Sequence, residues 1–129
     1  MSYYLNTPLF RRKMSTGILA PTTIVMEIEG VLTTLLVAKV ALPFNGTITG
    51  AMAVVSTSAT GSALNFTLVN GAVNAGAFSI AAGAEVDEAT LTPANCKFNK
   101  GDIIAVTIEQ IGSSYAGKDL TIAFTVTED

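Results

Sequence analysis

Glu27 and Glu29 stand two residues apart in a stretch that alternates apolar and polar side chains, so both carboxylates project from one face of a strand. That spacing puts them ~7 Å apart, within the range at which paired carboxyl groups invert a glycosidic bond. A sugar site also wants an aromatic platform, and the chain has no tryptophan and no aromatic residue near this pair. Two exposed edge carboxylates are the plainer reading. Glu85, Asp87 and Glu88 form a second acidic group beside a turn. Carboxylates and backbone carbonyls can hold Ca²⁺, but this spacing matches no full calcium loop, and a solvated acidic loop is expected. There is no histidine, which removes the commonest general base, the Ser-His triad and most transition-metal sites. Cys96 therefore has no imidazole partner and is expected to be a small, partly buried residue near a strand start. Asn45-Gly46-Thr47 and Asn65-Phe66-Thr67 fit the glycosylation pattern, which is short and common in threonine-rich sequence. No catalytic, cofactor or metal site emerges.

The elements that would position these residues are almost wholly β. Thr23 to Glu29 alternates, with Ile24, Met26 and Ile28 on one face. Thr34 to Leu42 follows, with Leu36, Ala38, Val40 and Leu42 opposed to Leu35, Val37 and Lys39. Pro43-Phe44-Asn45-Gly46 is a turn signal. Thr47 to Ser56 is the next strand, with Ile48, Met52 and Val54 inward; Gly50 shares that face and suits a bulge or a close backbone approach. Leu64, Phe66 and Leu68 alternate before the Asn70-Gly71 turn. Phe78 and Ile80 make a short strand, within an alanine-rich stretch from Gly71 to Ala84 that otherwise reads as loop. Leu91 centres another short strand. Asp102 to Gln110 and Asp119 to Thr127 close the chain with the clearest alternation of all. About eight short strands with turn signals between them favour an all-β antiparallel sandwich of jelly-roll type.

The chain has 129 residues, enough for one domain that buries a core without disulfides, and its single cysteine excludes an intrachain bridge. The division expected is an extended N-terminal arm over 1–21 and a sandwich over 22–129. The net charge of -3 argues against general nucleic-acid binding. Charged residues make up 13%, against about 25% in ordinary soluble domains, so a Thr, Ser, Gly and Ala surface or cover by other subunits is expected. The most apolar stretch, Val31 to Phe44, contains Thr33, Thr34, Lys39 and Pro43 and falls short of the ~20 residues of a membrane helix. Arg11-Arg12-Lys13 before Ile18-Leu19-Ala20 has the order of a signal peptide, but Pro21, Thr22 and Thr23 interrupt it at once, so no cleaved signal is expected. The basic run sits beside Tyr3, Tyr4, Leu9 and Phe10. Apolar anchors next to charges are what an arm that orders on a protein partner would use.

Two stretches carry a family resemblance. One runs from Val40-Ala41-Leu42-Pro43-Phe44-Asn45-Gly46-Thr47-Ile48 to Gly61-Ser62-Ala63-Leu64-Asn65-Phe66-Thr67-Leu68-Val69-Asn70-Gly71. The other is Phe98-Asn99-Lys100-Gly101-Asp102-Ile103-Ile104-Ala105-Val106, continuing through Gln110-Ile111-Gly112-Ser113 to Gly117-Lys118-Asp119-Leu120-Thr121-Ile122. Together they resemble β-sandwich modules of tailed-bacteriophage virion proteins, most like a capsid decoration or cement protein. The resemblance spans roughly residues 30–127 and rests on turn and packing motifs, so it implies no catalytic residue. It implies a non-enzymatic virion component on the capsid surface that binds the major capsid protein or other virion proteins. A homo-oligomer is expected, and a trimer would suit threefold positions of a shell. Neither nucleic acid nor membrane is an expected partner. The rival expectation is a fibre, baseplate or receptor-binding module for host glycans, with loops Thr57 to Ser62 and Ser113 to Lys118 forming the site and Tyr115 stacking on a sugar. A hydrolase using Glu27 and Glu29 is the third.

Overall fold

The computed structural model describes residues 22–129, which form ten strands: β1 (Thr22–Val31), β2 (Val37–Ala41), β3 (Gly46–Thr57), β4 (Leu64–Asn70), β5 (Val73–Ile80), β6 (Val86–Glu88), β7 (Thr90–Leu91), β8 (Lys97–Phe98), β9 (Ile103–Gln110) and β10 (Lys118–Glu128). The expected arm, with Tyr3, Tyr4, Leu9, Phe10, Arg11, Arg12 and Lys13, lies outside the described residues. The strands make two antiparallel sheets. The first has the order β1-β10-β3-β6, with β8 also on β3; the second has the order β2-β9-β4-β5-β7. Four pairings nest inside one another: β4 with β5, β3 with β6, β2 with β9, and β1 with β10. This is a long ribbon folded at the β4–β5 turn and rolled across two sheets, the arrangement of a jelly roll, with β7 and β8 as short additions. The all-β sandwich expectation holds. Among the described residues, no helix is long and apolar enough to cross a membrane.

The core follows from alternation. Leu120, Ile122, Phe124 and Val126 of β10 face Ile104, Val106 and Ile108 of β9 and Leu64, Phe66 and Leu68 of β4, all buried. Phe66 and Phe78 are register partners, and their rings stack with centroids 4.6 Å apart. Each such side chain contributes about 1.5–3 kcal/mol on burial. The two closing strands, adjacent in sequence, lie in opposite sheets.

Four expectations need correction. Beyond Gly50 the facing of β3 is the reverse of the one expected: Ala51, Ala53 and Val55 are buried, while Met52 and Val54 are 46% and 43% exposed. The cause is a bulge. Val126 pairs with Ile48 and Thr125 with Gly50, which leaves Thr49 unopposed and flips every side chain after it. The stretch 73–80 is strand rather than loop, because its backbone is taken up by β4. Thr34 and Leu35 form a turn, with Leu35 at φ 66, so β2 begins only at Val37. Asp87 and Glu88 belong to β6 rather than to a loop.

Candidate functional site

The bulge in β3 has a direct consequence for the outer surface of the first sheet. Val25 pairs with Ala123, Ala123 with Met52, and Met52 with Glu88. One step along, Glu27 pairs with Thr121, Thr121 with Val54, and Val54 with Val86. Directly opposed residues share a face, so these are two rows on one outward surface. Val25 at 48% and Val86 at 53% exposure join Met52 and Val54 in an apolar strip. Contiguous exposed apolar surface of this kind is a common feature of interaction sites. Neither row contains a cation.

The strip ends in acid. An open depression of about 530 Å³ is lined by Glu27, Glu29, Gly30, Lys118, Asp119 and Thr121 among others. Asp119 is held tightly there. The Gly30 backbone N–H donates to one carboxylate oxygen at 2.7 Å and the Ser56 hydroxyl to the other at 2.9 Å. These two donors, the amide first, pull its pKa below the usual carboxylate value. Asp119 adopts φ 55, a conformation that Asp tolerates better than most residues. Glu27 and Glu29 do share the exposed face expected of them, but no aromatic residue lines the depression. Without one the depression offers no platform for a sugar ring.

At one end of the sandwich the two loops of the glycan-binding expectation meet. The Thr60 N–H donates to the Tyr115 carbonyl at 3.0 Å, and the Ser114 N–H donates to the Thr60 carbonyl at 2.9 Å. Gly112 and Gly61 let the backbones come this close: a Cβ on Gly112 would lie 2.7 Å from the Thr60 oxygen, and one on Gly61 2.8 Å from the Ser114 nitrogen. The loops are thus locked together rather than free. Tyr115 is half-buried, and its hydroxyl has no hydrogen-bond partner among the described residues.

The other singled-out residues have structural roles. Cys96 is fully buried, not partly; its thiol sits 3.3 Å from the Thr92 carbonyl, and burial pushes its pKa up. Asn45 accepts from the Lys100 N–H at 2.7 Å, and Asn65 accepts from the Ser79 hydroxyl at 2.7 Å. Asp87 accepts from the Ser79 N–H at 2.9 Å. A shallow groove of about 460 Å³ is lined by Asn65, Thr67, Ser79 and Glu109 of the second sheet and by Asp87 and Glu88 of β6, from the first, among others. Among the described residues, no group of three or more His, Cys, Asp or Glu is placed to hold a metal ion. One important residue escaped the sequence reading. The buried Asn70 amide donates to the Asn95 carbonyl at 3.0 Å and to the Lys97 carbonyl at 2.8 Å, pinning the segment before β8 to the end of β4. In the sequence it is half of a turn dipeptide, and nothing local announces the second role.

No protein-family model matches the chain, and no curated protein matches its sequence. Among solved structures the chain is similar to one in the cyanophage Pam1 capsid asymmetric unit, with a TM-score of 0.53 and 16% identity, over 86% of this chain and 85% of that one. The likeness is one of fold.

Proposed function

We propose that the chain is a phage virion structural protein without enzymatic activity, a head decoration or cement protein that binds and stabilises the shell of the major capsid protein. The observation that carries this reading is the jelly-roll body, which shares its fold over most of its length with a chain of a phage capsid assembly. Low charge and an exposed apolar strip on one sheet favour a protein that works with part of its surface covered. The arm supplies the anchors: Tyr3, Tyr4, Leu9 and Phe10 for apolar pockets, and Arg11, Arg12 and Lys13 for acidic ones. Mixing the purified protein with heads that lack it, followed by electron cryo-microscopy, tests the reading. Regular occupancy on the capsid surface is expected; none at any concentration would sink it. Removing Ser2 to Met14 should abolish occupancy and leave the body folded, and unchanged occupancy would remove the arm's role.

Tyr115 favours a second reading, a fibre, baseplate or receptor-binding module for host glycans. Its partly exposed ring and unpartnered hydroxyl stand where two loops converge. A glycan array discriminates: reproducible binding lost in Tyr115→Ala supports this reading, and a blank array removes it.

A further inference from the structure

The outer face of the first sheet is apolar along Val25, Met52, Val54 and Val86, and its carboxylates are Glu27, Glu88 and, at the end, Glu29 and Asp119. Three of these acids, Glu27, Glu29 and Asp119, stand against the one lysine, Lys118, that lines the same depression. Packing two copies of this face together would bring two acidic surfaces against each other, which disfavours association. What fits is a segment that is apolar and basic. The chain contains one such segment. Residues 1–21 hold two tyrosines, a phenylalanine and three cations without a single Asp or Glu, whereas residues 22–129 hold four lysines against ten carboxylates.

We propose that the chain's own arm docks in cis on this face, with Tyr3, Tyr4 and Phe10 across the apolar strip and Arg11-Arg12-Lys13 at the Glu27, Glu29 and Asp119 end. Reach permits it. From Lys13 to Thr22 there are nine residues, about 30 Å when extended. From Thr22 to Glu29 along β1 the distance is about 23 Å, and four strands span only about 14 Å. A tether this short gives an effective concentration in the millimolar range, so the chain's own arm outcompetes that of a second copy in dilute solution. Asp119 keeps its charge for this purpose, since its two donors stabilise the ionised form. The contact belongs to the free protein and holds whether or not the virion role does. It gives the apolar strip a cover before any partner is met.

Paired cysteines in the full chain test it. Tyr4→Cys is combined with Met52→Cys, or with Lys39→Cys on the opposite sheet as the control, and treated with a short bis-maleimide at low micromolar concentration. Cys96, being buried, stays out of the reaction. The expected result is an internally crosslinked monomer from the Met52 pair, about 10-fold above the Lys39 pair. Charge reversal of Arg11, Arg12 and Lys13 to Glu, or salt raised from about 0.05 to about 0.5 M, should cut that yield. Equal yields at Met52 and Lys39 would overturn the proposal, as would yields indifferent to charge reversal. Crosslinked dimers in place of monomers would put a second copy's arm on the face and overturn the cis contact.

Discussion

Asn70 and Asp119 show how single polar side chains hold this sandwich where strand pairing stops. Asn70 is buried and satisfies two carbonyls at once, those of Asn95 and Lys97. Truncation leaves both acceptors without that donor in a dry place, so Asn70→Ala should cost about 1–3 kcal/mol. Urea unfolding should show the midpoint falling with an unchanged slope; a midpoint within error of wild type would mean that the two bonds contribute nothing net. Asp119 acts through its charge. Its folded pKa lies below the ordinary value of 3.8, first because of the Gly30 amide and then the Ser56 hydroxyl. The stabilisation is therefore present in full above that ordinary value and is lost as the pH falls through the lower, folded one. Asn tolerates the same φ, which makes Asp119→Asn the clean probe. The variant should be less stable than wild type at neutral pH, and the gap should close below about pH 4. A gap of constant size across that range would assign the loss to something other than charge. Cys96 was legible as a structural residue, because no histidine exists to activate it. The clamp made by Asn70 was not legible, since its partners lie 25 and 27 residues away.

Among the elements, β3 is the most instructive. Its apolar residues form two alternating sets that are out of phase with each other, Ile48 on one side of Thr49 and Ala51, Ala53 and Val55 on the other. Only an extra residue can bury both sets, and Thr49 is that residue. Its deletion leaves both sets facing inward on a regular strand. The Thr49 deletion should thus remain cooperatively folded, at a cost of about 1–2 kcal/mol. Deleting Ala123 from β10, a central strand with no spare residue at that point, should abolish the cooperative transition, because Phe124 and Val126 would turn outward. Near-UV circular dichroism with urea unfolding compares the two; equal damage would show that Thr49 is not a spare residue. The bulge also shapes the outer surface. It is what turns Met52 and Val54 outward beside Val25, and so creates the apolar strip.

For the whole molecule, the pairings that close the jelly roll join distant parts of the chain: Thr22 of β1 is paired with Val126 of β10, and β10 lies between β1 and β3. Such topology folds slowly, on the order of milliseconds to seconds, because loop closure precedes the contacts that reward it. A fragment of residues 1–110 lacks the central strand of the first sheet and should show no cooperative unfolding. Residues 22–129 alone should unfold in one transition, and the reverse outcome for either fragment would mean that the sandwich is not the folding unit. By itself the sequence determined the strand-rich class, the chain reversals within Pro43-Phe44-Asn45-Gly46 and at Asn70-Gly71, the inward face of β4, β9 and β10, and the absence of histidine chemistry. Those are consequences of a side-chain period of two and of local turn sterics, which act between near neighbours. The tertiary structure alone decided that 73–80 is a strand, that β9 and β10 part into different sheets, that Thr60 meets Tyr115, and that β3 reverses its facing at Thr49. Each of these depends on which remote strand or loop takes up a backbone hydrogen bond, and that choice is made by the packed whole rather than by any window of residues.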